Sequence, residues 1–195
     1  MSGQAAGSAG TFHAVRFYDS PESLCRIVAG FLADGLRTGE PALMIATPGH
    51  RVGIVEALRA RRFDVEALEA AGDLLLLDAE DLLATFMVEG MPDAERFKVV
   101  GFQIIERACR GRTNCTIRAY GEMVDVLWKQ GQAVAAIRLE MLWNTLGASK
   151  DFSLLCGYAM GNFYKGSQQH EICGHHTHLV NDEGRLEPTV SPTIN

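Results

Sequence analysis

Side chains that bind transition metals are concentrated near the end of the chain, in residues 170–178. Neutral imidazole and thiolate are ligands of zinc and related ions. The spacing matches no standard zinc motif, and no second cysteine pair accompanies it. A metal or redox sensor is therefore one interpretation, and a local peculiarity without a bound ion is the other. The side chains concerned are His170, Cys173, His175, His176 and His178.

A second set of polar and aromatic side chains follows apolar segments that are typical of strands. In open α/β sheets, ligands bind at the carboxyl ends of the strands. A pocket with aromatic walls and a few polar groups would suit a small organic molecule. The alternative is that Glu122 only begins a helix and that Tyr120 is core. The candidates are Tyr18, Asp19, Ser20, the turn Thr47–His50, Asp78, Arg118, Tyr120 and Glu122.

Trp143 is a further candidate for ligand contact, on one helix face with Glu140 and Asn144. Core packing is the alternative for Trp143, and Glu140 could pair with Arg118 or Arg138. His13 begins the first strand and is expected to have a structural role. The sequence contains no nucleophile elbow and no paired-carboxylate motif, so we expect no catalytic residue.

Strands alternating with helices are expected to position these groups. The pattern predicts a three-layer α/β domain with a mainly parallel sheet, built from βαβ units with right-handed crossovers. The four leucines of 74–77 favour a strand buried on both faces. Predicted strands are 13–18, 42–46, 74–77, 115–120 and 152–158, and predicted helices are 21–36, 51–61, 93–110, 121–130, 133–146 and 161–175.

Length, charge and apolar content indicate what kind of protein this chain is. The chain has 195 residues and a formal net charge of -6, which suits one domain and argues against direct nucleic-acid binding. No apolar stretch approaches the ~20 residues of a membrane span, and the start lacks a secretory signal, so we expect a cytoplasmic protein without membrane contact. The five cysteines are expected to be free buried thiols. Residues 1–11 are expected to be disordered, 12–180 to form the domain, and 181–195 to be a flexible tail.

Four segments together resemble one family. They are HAVRFYDSPESLCRIVAGFLADGLRTGE, TIRAYGEMVDVLWKQG, LEMLWNTL and LLCGYAM, and the resemblance spans His13–Val180. The chain resembles the MEDS (methanogen/methylotroph sensory) domains. This resemblance implies a RecA/KaiC-like sensory domain that is often attached to regulators or signalling kinases and is suspected to bind small organic ligands.

The phosphate-binding loop of such ATPases is missing. An active loop needs two glycines, a lysine and a Ser/Thr between the first strand and its helix. The residues in that position, Phe17–Ser23, include Asp19, Pro21 and Glu22 and contain neither glycine nor lysine. The position after the second strand also lacks the carboxylate that polarises water. A divergent NTPase is therefore the least favoured alternative.

These observations predict a non-catalytic sensory module. A small organic ligand or a signalling protein partner would occupy the vestigial nucleotide cleft, and a homodimer is a further route to output. We expect no resident cofactor. Under the alternative interpretation, zinc or another transition metal is bound in residues 170–178.

Overall fold

A seven-stranded sheet runs through the centre of the molecule in the order β3-β2-β6-β7-β1-β8-β9. The computed structural model describes residues 11–162 and 166–189. Every neighbouring pair in this sheet is parallel except the hairpin β8–β9. The strands are β1 His13–Tyr18, β2 Ala42–Ala46, β3 Leu74–Asp78, β6 Ile117–Gly121, β7 Phe152–Ala159, β8 His178–Val180 and β9 Leu186–Pro188.

Helices cover both faces of this sheet, which confirms the predicted three-layer α/β fold. On one face lie α1 Pro21–Thr38, α2 Pro48–Ala60 and α3 Val65–Ala71. On the other lie α4 Ala79–Phe86, α5 Ala94–Cys109, α6 Met123–Lys129, α7 Ala133–Gly147 and α8 Gly166–Cys173. A small hairpin, β4 Met87–Val88 and β5 Met91–Pro92, links α4 to α5. None of the described helices has the length and apolar character needed to cross a membrane.

The junction between β1 and α1 is fixed by a standard helix cap. The Ser20 side chain accepts a hydrogen bond from the backbone N–H of Ser23, at 3.2 Å, and Pro21 occupies the first turn. Proline is tolerated there because its missing N–H would have no partner within the helix. Gly39 ends α1 with φ 83°, a left-handed conformation that favours glycine. The cap places Tyr18 at the carboxyl end of the sheet.

Alternating side chains of the strands pack into two separate hydrophobic cores, one on each face of the sheet. Ala14, Met44 and Leu155 face α1–α3, whereas Val15, Ile45 and Leu154 face α4–α8. Such alternation follows from the two-residue period of a strand. Complete burial of each leucine side chain contributes roughly 2 kcal/mol to folding.

The strand containing the four leucines lies at an edge of the sheet. Among the described strands β3 pairs with β2 alone, and Leu75–Leu77 are half-buried, so the expectation of burial on both faces is wrong. A continuous apolar run cannot distinguish an edge strand from a central one, because position in the sheet depends on the crossovers.

The region beyond Asn181 also differs from the predicted flexible tail. Residues up to Pro188 form a hairpin in which β8 pairs with β1 and β9 pairs with β8. Arg16 ties this hairpin down by donating to the carbonyl of Val180, at 3.1 Å, and to the carboxylate of Asp182. Residues 1–10, predicted to be disordered, and residues 190–195, predicted to be flexible, lie outside the described residues.

Two of the five cysteines are not free thiols. Cys109 ends α5 and forms a disulfide with Cys115 in the loop before β6. The two Cα atoms lie 5.8 Å apart, within the usual range for a disulfide. The expectation of five free cysteines is therefore wrong for this pair, because the tight turn after α5 brings together residues that spacing alone left unassigned. Cys25, Cys156 and Cys173 are free thiols.

Candidate functional site

Four of the predicted ligand-site residues meet at the carboxyl ends of the strands. Tyr18 ends β1, Tyr120 lies near the end of β6 and precedes Glu122, and His50 lies in the first turn of α2. The rings of Tyr18 and His50 pack edge to face with their centres 5.6 Å apart. We call Tyr18, His50, Tyr120, Glu122 and Asp125 the cleft cluster.

Glu122 lies at the centre of the cleft cluster and is almost completely buried. Its carboxylate accepts hydrogen bonds from the backbone N–H of Thr47 at 2.5 Å and from the Tyr120 hydroxyl at 2.7 Å, and it lies 2.6 Å from His50 Nδ1. Burial alone would raise the pKa of Glu122, but the contacts with His50 and Thr47 outweigh burial and lower the pKa. Glu122 is therefore a buried, ionised group that joins three segments of the chain.

Asp125 is a second buried carboxylate, and the sequence analysis missed it. It accepts hydrogen bonds from the Tyr18 hydroxyl at 2.9 Å and from the backbone N–H of Ala159 at 3.0 Å, and it pairs with Lys129 at 2.7 Å. Burial, followed by the charge of Asp125, raises the pKa of Tyr18. The available signal was the spacing from Glu122 to Asp125, which puts both residues in the first turn of one helix.

The cleft cluster places a buried carboxylate against the start of α2, at the carboxyl ends of the strands. The start of α2 donates its Thr47 N–H to Glu122, a carboxylate of the same chain. Helix starts attract anions because their first N–H groups are unpaired. In this chain the N–H group of Thr47 is already occupied by the carboxylate of Glu122.

A surface groove adjoins the cleft cluster between α1 and α2. Its described lining includes Cys25, Arg26, Gly53, Glu56 and His50. Burial, followed by the charge of Glu122, raises the pKa of the Cys25 thiol to about 11, so this cysteine is neutral at pH 7. His50 reaches both places, since it lines the groove and contacts buried Glu122.

Three predicted ligand residues, Asp19, Ser20 and Asp78, lie outside the cleft cluster. Asp19 is exposed, and Ser20 serves as the cap of α1. Asp78 caps α4 and lies 3.8 Å from Arg51.

Arg118 and Trp143 have structural surroundings away from the cleft cluster. Arg118 extends from β6 toward the amino ends of the strands, pairs with Glu40 at 2.6 Å and lies over the ring of Phe31. Trp143 packs edge to face on Phe97 and Phe152 inside the core beside α5 and α7. Neither residue contacts the cleft cluster.

Residues 170–178 do not come together as a metal site either. His170 is exposed, Cys173 and His175 are half-buried, and the ring of His178 packs against Phe12. Of the five predicted metal ligands, only His176 is fully buried, with no exposed side-chain surface.

His176 joins a buried cluster on the opposite face of the sheet from the groove. His13 of β1, Glu140 of α7 and Cys156 of β7 are its other members, and each of the four residues is at least nine-tenths buried. One ligating atom from each residue lies within 4.8 Å of all the others. We call these four residues the buried His/Cys cluster.

Glu140 is the acidic centre of the buried His/Cys cluster. It accepts a hydrogen bond from the Tyr158 hydroxyl at 2.7 Å and lies 3.3 Å from His13 Nε2 and 3.4 Å from His176 Nε2. Burial alone would raise the pKa of Glu140, but the two histidines hold it well below its usual value. The predicted pairing of Glu140 with an arginine is thus replaced by pairing with histidines.

Most of the chain matches one known family of sensory domains. A family model matches residues 12–177 and is described as the methanogen/methylotroph, DcmR sensory domain, abbreviated MEDS. The chain belongs to the MEDS family. Because the match covers most of the chain, the resemblance found in the four sequence segments is confirmed. No curated protein matches the chain at the significance required.

Membership of the MEDS family makes the chain a sensory domain. The matched range contains the complete cleft cluster and the complete buried His/Cys cluster. Both clusters therefore lie within the MEDS domain.

Proposed function

We propose that this MEDS domain is a non-catalytic sensory module that binds a small uncharged or cationic organic molecule in the α1–α2 groove. The observation that carries the proposal is the position of His50, which lines the groove and contacts the buried carboxylate of Glu122 at 2.6 Å. A ligand in the groove would therefore contact a side chain that is already connected to the interior.

Electrostatics favours an uncharged or cationic ligand over a phosphate. The described groove lining carries the carboxylates of Glu22 and Glu56 and one guanidinium, Arg26. Behind it lie the buried carboxylates of Glu122 and Asp125. At a separation of about 5 Å and an effective dielectric constant of about 20, two like charges repel by about 3 kcal/mol. Repulsion of this kind from Glu22 and Glu56 opposes phosphate binding, and no glycine-lysine loop is present to offset it.

The cleft cluster offers a route by which occupancy changes structure. Glu122 connects His50 on α2 with Tyr120 on β6 and with the start of α6. A ligand that prefers one orientation of His50 shifts the population of that orientation by its difference in affinity. The altered position of α6 would then be presented to a signalling partner or to a second copy of the domain.

Titration of the protein with small molecules tests this proposal. Amide spectra of the ¹⁵N-labelled chain are recorded with short-chain alcohols, amides and methylated amines, and separately with magnesium and ATP. We expect saturable shifts centred on residues 21–26 and 49–57 for at least one organic probe. His50→Ala should weaken that binding at least tenfold, because it removes the groove contact.

Arg51→Ala is the matched control, since Arg51 is the next residue of α2 and faces Asp78. It should leave the affinity unchanged. Saturable, magnesium-dependent binding of ATP in this cleft would contradict the proposal. Organic-probe binding of equal strength in the wild type and in His50→Ala would contradict it as well.

A further inference from the structure

We infer that the buried His/Cys cluster is a binding site for one divalent transition-metal ion, with His13, Glu140, Cys156 and His176 as the four ligands. The ligand set is drawn from β1, α7, β7 and the segment after α8. The buried His/Cys cluster is separate from the groove, so the inferred metal site does not depend on the proposed organic ligand.

The edges joining His13 Nε2, Glu140 Oε2 and Cys156 Sγ are close to those of a tetrahedron around a zinc-sized ion. His176 approaches the other oxygen of the same carboxylate, and its ligating atom lies within 4.8 Å of those of the other three residues. Metal–nitrogen and metal–oxygen bonds of about 2.05 Å require ligand atoms about 3.3 Å apart, and one bond to sulfur lengthens that edge to about 3.6 Å. His13 Nε2 lies 3.3 Å from Glu140 Oε2, and His176 Nε2 lies 3.4 Å from Glu140 Oε1. Cys156 Sγ lies 3.3 Å from His13 Nε2 and 3.6 Å from Glu140 Oε2.

His13 is oriented for metal ligation by Asn144. The Asn144 amide nitrogen donates to the carbonyl of His175 at 2.9 Å, which turns the amide oxygen toward His13 Nδ1 at 2.8 Å. In the neutral ring, Nδ1 must then carry the proton and donate it to Asn144. The lone pair therefore resides on Nε2, which faces Glu140 and Cys156. Outer hydrogen bonds of this kind fix the tautomer of metal-bound histidines.

His176 is oriented in the same way by a backbone carbonyl. Its Nδ1 lies 2.8 Å from the carbonyl oxygen of Ile172, which can only accept, so Nδ1 carries a proton. Among the residues that the structure describes, Nε2 of His176 has no hydrogen-bond partner although it is fully buried. A neutral ring thus directs a lone pair at a carboxylate oxygen, an arrangement that a bound cation stabilises. A doubly protonated ring would instead pair with Glu140 without an ion, and the chain would then bind no cobalt.

Charge balance and ligand chemistry select the class of ion. A divalent ion bound to one thiolate, one carboxylate and two neutral imidazoles gives a site with no net charge, which suits a buried location. Binding releases the Cys156 thiol proton to the solvent, and no electron is transferred. Sulfur and nitrogen ligands favour zinc and its neighbours over calcium and magnesium.

Cobalt(II) is the probe for this site, because its spectrum reports thiolate ligation and tetrahedral geometry. The full chain is stripped of metal with a chelator and titrated with Co²⁺. We expect one equivalent to bind, with a thiolate-to-cobalt band in the near ultraviolet and strong visible bands. One equivalent of Zn²⁺ should remove both the thiolate-to-cobalt band and the visible bands. A wild-type chain that binds less than about a tenth of an equivalent of either ion overturns the inference, whatever the variants do.

Variants locate the ion within the chain. Cys156→Ser should abolish the thiolate band and lower the affinity at least tenfold, and Asn144→Ala should lower the affinity by about 10–100-fold by releasing His13. Cys173→Ser is the matched control, a free half-buried thiol in the segment that precedes His176. It should leave spectrum and affinity unchanged, and loss of the thiolate band in Cys173→Ser would overturn the assignment.

Discussion

Gly157→Ala tests how the cleft cluster is built onto the sheet. Gly157 lies in β7, between Cys156 and Tyr158, and the Tyr120 side chain of the neighbouring strand passes over it. A Cβ atom at Gly157 would meet the Tyr120 hydroxyl at 2.8 Å, Tyr120 Cε2 at 3.3 Å and Leu24 Cδ1 at 3.4 Å. The hydroxyl is the closest contact, and it is the group that donates to Glu122.

The expected change in the free energy of unfolding for Gly157→Ala follows from two opposing effects. Replacing glycine by alanine at a compatible backbone position stabilises a protein by about 0.4–1 kcal/mol. Overpacking of a filled core costs about 1–3 kcal/mol. Because the 2.8 Å contact requires Tyr120 to move, we expect Gly157→Ala to lower the free energy of unfolding by about 1–2 kcal/mol. Tyr120→Phe should lower it by about 1–2 kcal/mol through loss of a hydrogen bond to a charged group.

A double-mutant cycle measured by urea denaturation isolates the contact between the two residues. Once Tyr120→Phe has removed the hydroxyl, the added methyl should cost about 1 kcal/mol less than it does in the wild type. Gly121→Ala is the matched control, since Gly121 lies in the adjacent strand and its nearest atom would be Leu154 Cδ1 at 3.9 Å. Strictly additive costs in the cycle, or a stabilising Gly157→Ala, would refute the described packing of Tyr120.

Two further predictions concern the titration of Glu122 and the disulfide. The folded-state pKa of Glu122 lies below its ordinary value of 4.5, so its contribution to stability is complete above that value and is lost as the pH falls through the folded-state pKa. Between pH 6 and pH 3.5, urea denaturation should therefore show a smaller loss of stability for Glu122→Gln than for the wild type, and equal losses would contradict the shift. The disulfide closes a short loop, with the two cysteines six residues apart, so Cys109→Ser should lower the free energy of unfolding by about 2 kcal/mol. A reductant should lower the wild type to the level of this variant and leave the variant unchanged, whereas a wild type insensitive to the reductant would count against the bond.

Local patterns in the sequence predicted the alternation of elements well. Val15, Ile45 and the Leu74–Leu77 segment lie in strands, as expected from their apolar surroundings. Pro21 begins α1, as its backbone preference indicates, whereas the helix continues past its predicted end at residue 36 and stops at Gly39. Helices α3 and α4 and the β4–β5 hairpin were missed, because they are short and their apolar periodicity covers only one or two turns.

The cleft cluster was partly predictable, and the buried His/Cys cluster was not. Tyr18, Tyr120 and Glu122 end or follow strands, and topology brings such positions to one edge of a parallel sheet. His13 and Cys156, in contrast, are separated by 143 residues and meet because β1 pairs with β7. That pairing depends on the order of strands in the sheet, which local patterns do not determine.

Strand β7 supplies groups to both clusters, and this arrangement links them mechanically. Successive side chains of a strand point to opposite faces, so Cys156 and Tyr158 reach the buried His/Cys cluster while Gly157 lies beneath Tyr120. The end of the strand is held by Asp125 through the N–H of Ala159. Any ligand that shifts β7 along its axis must therefore alter the contacts of Glu140 on one face and of Tyr120 on the other.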